Sequence, residues 1–271
     1  MVRSLWTAAT GMIAQQTNVD TIANNLANVN TTGYKTQTNE FKSLLYQNLQ
    51  SQTTSANGEN KPGSVQVGLG VRNASISTNF KTGSFLASES DTAFALDGRG
   101  FFAVQGEDGN VYYTKNGNFK FTLATNGHML GTSEGQPVLD SQGKPIILGE
   151  QYVVSKITVS KDGQLCYPDE KNNPQPIGVT MGVFQFNNPG GLEKLSQSLY
   201  KQTAASGEPI NEAISTAVEK TDVVQGYLEG SNVQVVDEMV NMIVAQRAYE
   251  LNSKAIVASD EMLQQANNLR R

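Results

Sequence analysis

Any catalytic centre in this chain would have to be built from few parts. His128 is the only histidine and Cys166 the only cysteine among the 271 residues. A zinc site needs several His, Cys or carboxylate ligands at close spacing, and one histidine with one distant cysteine does not supply them. Nor does any spacing support a Ser-His-Asp triad. His128 is expected in a turn, Asn126-Gly127-His128-Met129. Cys166 lies beside a turn with no histidine near it in sequence, and reads as a small, semi-buried strand residue. Asp97-Gly98-Arg99-Gly100-Phe101-Phe102 contains a Gly-x-Gly. The third glycine of a dinucleotide loop is missing, and Phe stands where a helix should begin. Gly98 and Gly100 therefore read as a hairpin turn. The acid pairs Glu107-Asp108, Asp169-Glu170 and Asp237-Glu238 read as solvated charge in turns or on a helix face. No metal, cofactor or enzymatic activity is expected, and the sequons at Asn30 and Asn73 are too short to carry weight.

Asn24, Asn25 and Asn28 call for a reason of another kind, because Asn is a poor helix former. Leu26 and Val29 interleave with them. The reading favoured is a polar ladder, Asn24 over Asn28, bonding across a helix–helix seam and fixing its register. The elements around them have the matching period. Leu5, Met12, Val19 and Leu26 fall seven apart, and Ala8, Gln15, Ile22 and Val29 follow them by three. Near the other end Val235, Met242, Tyr249, Ile256 and Leu263 fall seven apart, with Ala245, Asn252, Ser259 and Ala266 three later. Such a/d stripes need another helix to pack on.

The first helix is expected over residues 4–28. Gly11 inside it costs about 1 kcal/mol against Ala, and close helix approach is the compensation. Gly33 closes the turn that follows and suits a positive φ. Residues 34–49 are expected to be extended and then briefly helical. The last helix is expected to open at a capping box, Ser231 with Gln234, and to run to about residue 269. Residues 50–64 hold a single apolar residue and read as a polar tongue.

From Val65 the pattern turns to β. Val65, Val67, Leu69 and Val71 alternate with Gln66, Gly68 and Gly70. Asp108-Gly109, Asn116-Gly117, Asn126-Gly127 and Asp162-Gly163 are strong hairpin signals. Residues 179–186 are expected to form a strand. The fold class is therefore α+β: N- and C-terminal amphipathic helices pair as a coiled-coil-like bundle around a β-rich middle of antiparallel sheets. We divide the chain into a helical core, 1–35 with 230–271; a linking extended region, 36–93 with 187–229, that includes the tongue at 46–63; and an outer β domain, 94–186.

Composition narrows the partners. Apolar residues make up 38% and charged residues 17%, with a net charge of −5. Nucleic acid is not expected, because phosphate binding needs a basic stripe and Lys and Arg are scattered singly, with only Arg270 and Arg271 adjoining. No stretch approaches the roughly 18 apolar residues of a membrane span, so no membrane insertion is expected. A lone cysteine excludes an internal disulfide. Arg3 and the apolar residues after it are interrupted by Thr10, Gln15, Gln16 and Asn18 before a leader could form; the segment is expected to be retained.

The segment Ala23-Asn24-Asn25-Leu26-Ala27-Asn28-Val29-Asn30-Thr31-Thr32-Gly33-Tyr34-Lys35 resembles the N-terminal motif of bacterial flagellar rod and hook proteins. Asp97 to Phe102 resembles the start of their middle domain. Leu228-Glu229-Gly230-Ser231-Asn232-Val233, continuing through Glu238–Ile243 to Gln246-Arg247-Ala248-Tyr249-Glu250, resembles their C-terminal motif. Ser4-Leu5-Trp6, Ala14-Gln15-Gln16, Leu45-Tyr46-Gln47, Gly70-Val71-Arg72 and Tyr249 to Ala255 look most like the distal-rod subgroup. In that subgroup an extra segment after Leu45-Tyr46-Gln47 goes with a straight, stiff rod.

The resemblance implies paired termini as an innermost helical layer, with β-rich outer layers. It implies export by the flagellar type III apparatus without leader cleavage, and a place in the basal body outside the cytoplasmic membrane. The partners it implies are further copies of the chain in a helical homopolymer, neighbouring rod and hook proteins, the export apparatus, and bushing rings where the source has an outer membrane. Leu5, Met12, Val19, Ile22, Leu26, Asn24, Asn25 and Asn28 on one helix are expected at subunit interfaces. So are Val235, Met242, Tyr249, Ile256, Leu263, Gln246 and Arg247 on the other. A proximal rod or hook protein is the alternative within the family. A secreted adhesin, with a β domain on a coiled-coil stalk, is the alternative from another class.

Overall fold

A computed structural model describes residues 2–50, 65–124, 127–149, 151–169, 173–196, 198–215 and 218–269. It is α+β, with two long helices at the chain's ends and antiparallel sheets between them. The chain divides into two compact units. One holds residues 1–27, 37–78 and 234–271; the other holds 28–36 and 79–233.

In the first unit, helix α1 spans Val2–Ala27 and helix α2 spans Val235–Asn268. No proline interrupts either, and Asp237 and Glu238 in the first turn of α2 suit the positive end of its dipole. The expected capping box does not form. Gln234 holds the N-cap without a side-chain hydrogen bond, and the Ser231 hydroxyl instead accepts the Val233 N–H. The segment after α1 contains no helix. Strands β1, Gln37–Ser43, and β2, Tyr46–Gln50, follow directly. Alternating Val65 to Val71 is likewise two strands, β3, Val65–Gly68, and β4, Val71–Thr78, broken where Gly70 takes a φ of 115°. β1 pairs with β4 and β2 with β3, all antiparallel. Most of the polar tongue, residues 51–64, lies outside the described residues, as does Asn126 of the Asn126-Gly127 signal.

The second unit carries the apolar core. Strands β5 to β10 are Phe85–Ala87, Phe94–Asp97, Phe101–Gln105, Val111–Thr114, Phe119–Ala124 and Gly127–Thr132. β7 and β8 lie at the centre of a six-stranded sheet completed by strands at 183–185, 193–194, 199–201 and 210–211. Successive strand residues face opposite sides. On β7, Phe102 and Val104 enter a core with Phe94, Leu96, Phe119, Leu130 and Leu165. Phe101 and Ala103 enter a second core with Tyr113, Phe186 and Tyr200. Burial on both faces explains why the run 101–104 is continuously apolar. Aromatic edges meet throughout: Phe102 and Phe119 centroids lie 5.1 Å apart, Phe101 and Tyr200 6.0 Å.

Several turn signals do something other than close a hairpin. β6 pairs with the strand at 222–225 and β7 with β8, so Gly98 and Gly100 join two sheets. Asn116-Gly117 likewise carries the chain from β8 into the three-stranded sheet of β9 and β10. Residues 179–186 are interrupted at Met181-Gly182 between two strands. His128 sits within β10, paired with Leu123, and not in a turn. Cys166 is buried on a strand and its thiol donates to the Gln164 carbonyl at 3.7 Å.

Candidate functional site

The terminal helices pack antiparallel on a line of small and polar residues. The Ser4 and Ser259 hydroxyls share a hydrogen bond of 3.3 Å. A Cβ on Gly11 would lie 2.8 Å from the Asn252 amide nitrogen. The Asn25 amide donates to the Glu238 carboxylate at 3.3 Å. Each step of seven or fourteen residues along α1 is matched by the same step back along α2, so one register holds from end to end. Gly11 admits the close approach that its place in a helix requires. Ala8, Ala14, Thr21 and Ile22 are buried alongside, with Ala245 opposite.

Ala245, Asn252 and Ser259 of the second expected α2 stripe lie on this line, and the first stripe of each helix sits beside it. Leu5, Met12, Val19 and Leu26 are half-buried, and Ile22 is buried. Met242 and Ile256 are half-buried, whereas Val235, Tyr249 and Leu263 are each more than a third exposed. Gln246 and Arg247 face outward, and Arg247 makes a surface ion pair with Glu250. A groove of about 380 Å³ is lined by Gln16, Val19, Gln246, Tyr249 and Glu250.

The asparagines divide their work differently from the expected ladder. Asn25 is the side chain that crosses between the helices. It is buried, and it also pairs the Gln37 backbone in both directions: its amide donates to the Gln37 carbonyl at 2.8 Å and its carbonyl accepts the Gln37 N–H at 3.0 Å. Asn24 is exposed and donates to the Gln37 side chain. Asn28, in the other unit, accepts from the Thr31 hydroxyl. Glu238, read as solvated charge, is buried against Asn25. Its sequence signal is its place on the 238, 245, 252, 259 stripe.

Large apolar side chains crowd the rest of α2. Val236, Met239, Val240, Ile243, Val244, Leu251 and Val257 are all more than half exposed. Of α2, the buried residues are Glu238, Ala245 and Ser259. On α1, Trp6 and Ile13 are about two-thirds exposed. Monomeric soluble proteins rarely leave large contiguous apolar patches exposed.

In the second unit, Gly33 has a φ of 70°, and any Cβ there would lie 2.7 Å from the Asn116 nitrogen. Gly98 has a φ of 148°, and the Gly100 N–H donates to the Thr221 hydroxyl at 3.0 Å. This unit also buries the acidic and basic side chains of Lys35, Lys115, Glu212 and Glu229. Lys35 pairs with Glu229. Lys115 donates to the Gly98 carbonyl at 2.9 Å and lies over the Phe101 ring. Burial drives the Lys115 ammonium down to about 8, with Glu229 and Glu212 pulling up and Lys35 pushing down. Isolated lysines in a sequence carry no mark of burial, so nothing in the pattern announced this cluster.

Comparison with known proteins places these elements. Residues 5–35 match the profile of the flagella basal body rod protein, and residues 95–167 that of the flagellar hook protein FlgE/F/G D1 domain. Residues 224–269 match the C-terminal profile of the flagellar basal body rod FlgEFG proteins. The chain is 43% identical to the flagellar basal-body rod protein FlgG of Borreliella burgdorferi over the full length of both. It is 38% identical to FlgG of Caulobacter vibrioides, over 99% of this chain and all of the relative, and 34% identical to FlgG of Bacillus subtilis over the full length of both. The chain belongs to the FlgG family of flagellar basal-body rod proteins.

Proposed function

We propose that this chain is a structural subunit of the distal flagellar rod, polymerising into a straight helical tube that carries motor torque to the hook. The comparisons support a basal-body rod subunit outside the cytoplasmic membrane. Its relatives are named as rod proteins and not as enzymes. Among the described residues no helix is long and apolar enough to cross a membrane. Neighbouring rod and hook proteins, the type III export apparatus and, where present, outer bushing rings complete its partners in this reading.

The observation that carries the proposal is the apolar surface of α2. Burying one such side chain is worth about 1.5–3 kcal/mol, so seven left exposed call for a cover. A second copy supplies it, and a head-to-tail contact that does not close propagates as a helix. The Leu5, Met12, Val19 and Leu26 stripe and the Val235, Tyr249 and Leu263 stripe join that interface. The β domain at 94–186 forms the outer layer. Residues 46–63 act as the wedge that resists bending; β2 begins this segment, and the rest lies outside the described residues.

Electron microscopy of basal bodies from a strain lacking the chain tests the assignment. A missing distal rod and hook are expected; intact rods would overturn it. Val240→Asp with Ile243→Asp tests the surface. The variant should unfold within about 0.5 kcal/mol of the natural chain yet build no rods. Normal rods would remove α2's outer face from the interface.

A further inference from the structure

Each covalent passage between the two units lies at one of four bonds, 27/28, 36/37, 78/79 and 233/234. Within the second unit, the segments that lead to these bonds are tied together by three side chains. Asn232 accepts both the Thr36 N–H and the Thr36 hydroxyl at 2.7 Å, and its amide donates to the carbonyls of Asn79 at 2.8 Å and Lys81 at 3.1 Å. Glu229 accepts from Lys35 and from the Gly83 N–H. Lys35 also donates to the Lys81 carbonyl at 2.8 Å. Backbone bonds finish the knot: Gly33 N–H to Glu229, Asn79 N–H to Thr36, and Gly230 N–H to Ser84, each at 2.8 Å.

We infer that Lys35, Glu229 and Asn232 form a force-sharing joint, through which force entering on the outgoing, middle and returning segments is shared before it reaches the β-rich core. This rests on the rod reading, because only a subunit under torque needs the sharing. The residue types suit the task. Asn both donates and accepts, so one side chain can bind two segments at once. A buried Lys–Glu pair is costly to bury and costlier still to break, since either partner alone is an uncompensated charge. The second Glu229 oxygen is buried without a hydrogen bond among the described residues, and Lys115 adds a second ammonium whose charge interacts with that carboxylate. Separating the segments would therefore expose opposed charges and at least six hydrogen bonds together, not one strand at a time.

The test uses the full chain. In Asn232→Ala, amide exchange at Gly33, Asn79, Gly83 and Gly230 should rise together by about tenfold or more, as for one local opening, with Ala103 and Gln105 on β7 unchanged. Exchange that rises at only one of the three segments would overturn the joint. Asn232→Asp keeps the acceptor for Thr36 and loses the donor to the Asn79 and Lys81 carbonyls; exchange at Gly33, Asn79, Gly83 and Gly230 should again rise together, by less than in Asn232→Ala, and it serves equally if the alanine variant does not fold. In cells making the Asn232→Asp chain, rod number in electron micrographs should stay at the natural count while rotation under viscous load falls. Motility that falls only in proportion to rod number would mean a purely structural role and overturn the inference. A deletion strain that keeps its rods would instead sink the rod reading itself.

Discussion

The β-rich unit and the helical unit handle apolar surface in opposite ways. On β7, four successive residues are almost wholly excluded from solvent: Phe94, Leu96, Phe119 and Leu130 pack around Phe102 and Val104, and Tyr113, Phe186 and Tyr200 around Phe101 and Ala103. On α2, 34 residues long, one apolar side chain, Ala245, is fully buried. The β unit encloses two apolar cores within one chain, as a domain that folds alone must, and leaves only scattered large side chains such as Leu123 and Ile214 exposed. The helical unit centres its internal contact on small and polar residues, with Ile22 buried beside them, and leaves most of the large apolar side chains of α2 exposed. That division teaches which part of the subunit is finished before assembly and which part assembly finishes.

The largest expected effect sharpens the comparison from the β side. Phe102→Ala removes a ring with no exposure, packed edge-on against Phe119. It should cost about 3–5 kcal/mol, read from the urea midpoint of the purified chain. Ile243→Ala on α2 should cost the monomer less than about 0.5 kcal/mol and act on assembly alone. Equal losses in the two variants would break the comparison.

A second effect, on the order of 3 kcal/mol, comes from the Lys115 proton. Its folded-state value is pushed down to about 8 from an ordinary 10.5. Between those values the unfolded chain binds more protons, so stability should rise as pH increases from 8 toward 10. Below 8 both states are protonated and this contribution is flat. Burial raises Tyr113 to about 12 and moves Tyr200 upward too. Above pH 10 the unfolded chain therefore loses tyrosine protons first, and stability should fall. Urea midpoints at pH 7, 9 and 10 check the rise, and Lys115→Met should abolish it. A monotonic fall from pH 7 would show the ammonium to be solvated.

How far the sequence carried this picture also differs between the two units. The helices were legible because period and length speak together. The expected start at residue 4 and stop at residue 28 lie within two residues of the observed Val2–Ala27. The β unit was legible as β but not as connections. An Asn-Gly signal marks where a chain bends, not which strand it pairs with next, and Asn116-Gly117 changes sheets. Ser231 and Gln234 fit a capping box by spacing, yet the Ser231 hydroxyl takes the Val233 N–H and the helix opens at Val235. Lys35, Lys115 and Glu229 were illegible, because burial of a charge depends on partners distant in sequence. Lys35 and Glu229 stand 194 residues apart.

A third prediction tests whether the polar line on α1 is specific. Asn25→Ala leaves the Gln37 backbone and the Glu238 carboxylate short of a buried partner, at a cost of about 1–3 kcal/mol. Asn25→Asp should be worse, since it removes the donor and sets a second carboxylate against Glu238. Thermal melts followed by helix ellipticity should rank natural, Ala and Asp in that order. An Asp variant more stable than Ala would mean that Glu238 does not depend on the Asn25 amide.

The smallest effect is the most discriminating, because its sign is set by the packing alone. Gly11→Ala should gain up to about 1 kcal/mol of helix propensity, but its Cβ falls 2.8 Å from the Asn252 amide nitrogen. That nitrogen is the tip of a side chain that can swing away, so the two effects should nearly cancel and the single variant should melt close to the natural chain. Asn252→Ala clears the space. In that background Gly11→Ala should become stabilising, with a coupling of about 0.5 kcal/mol or more in a double-mutant cycle. Additive changes would mean that the helices do not meet at this pair, and the constant seven-residue register between α1 and α2 would lose its central point.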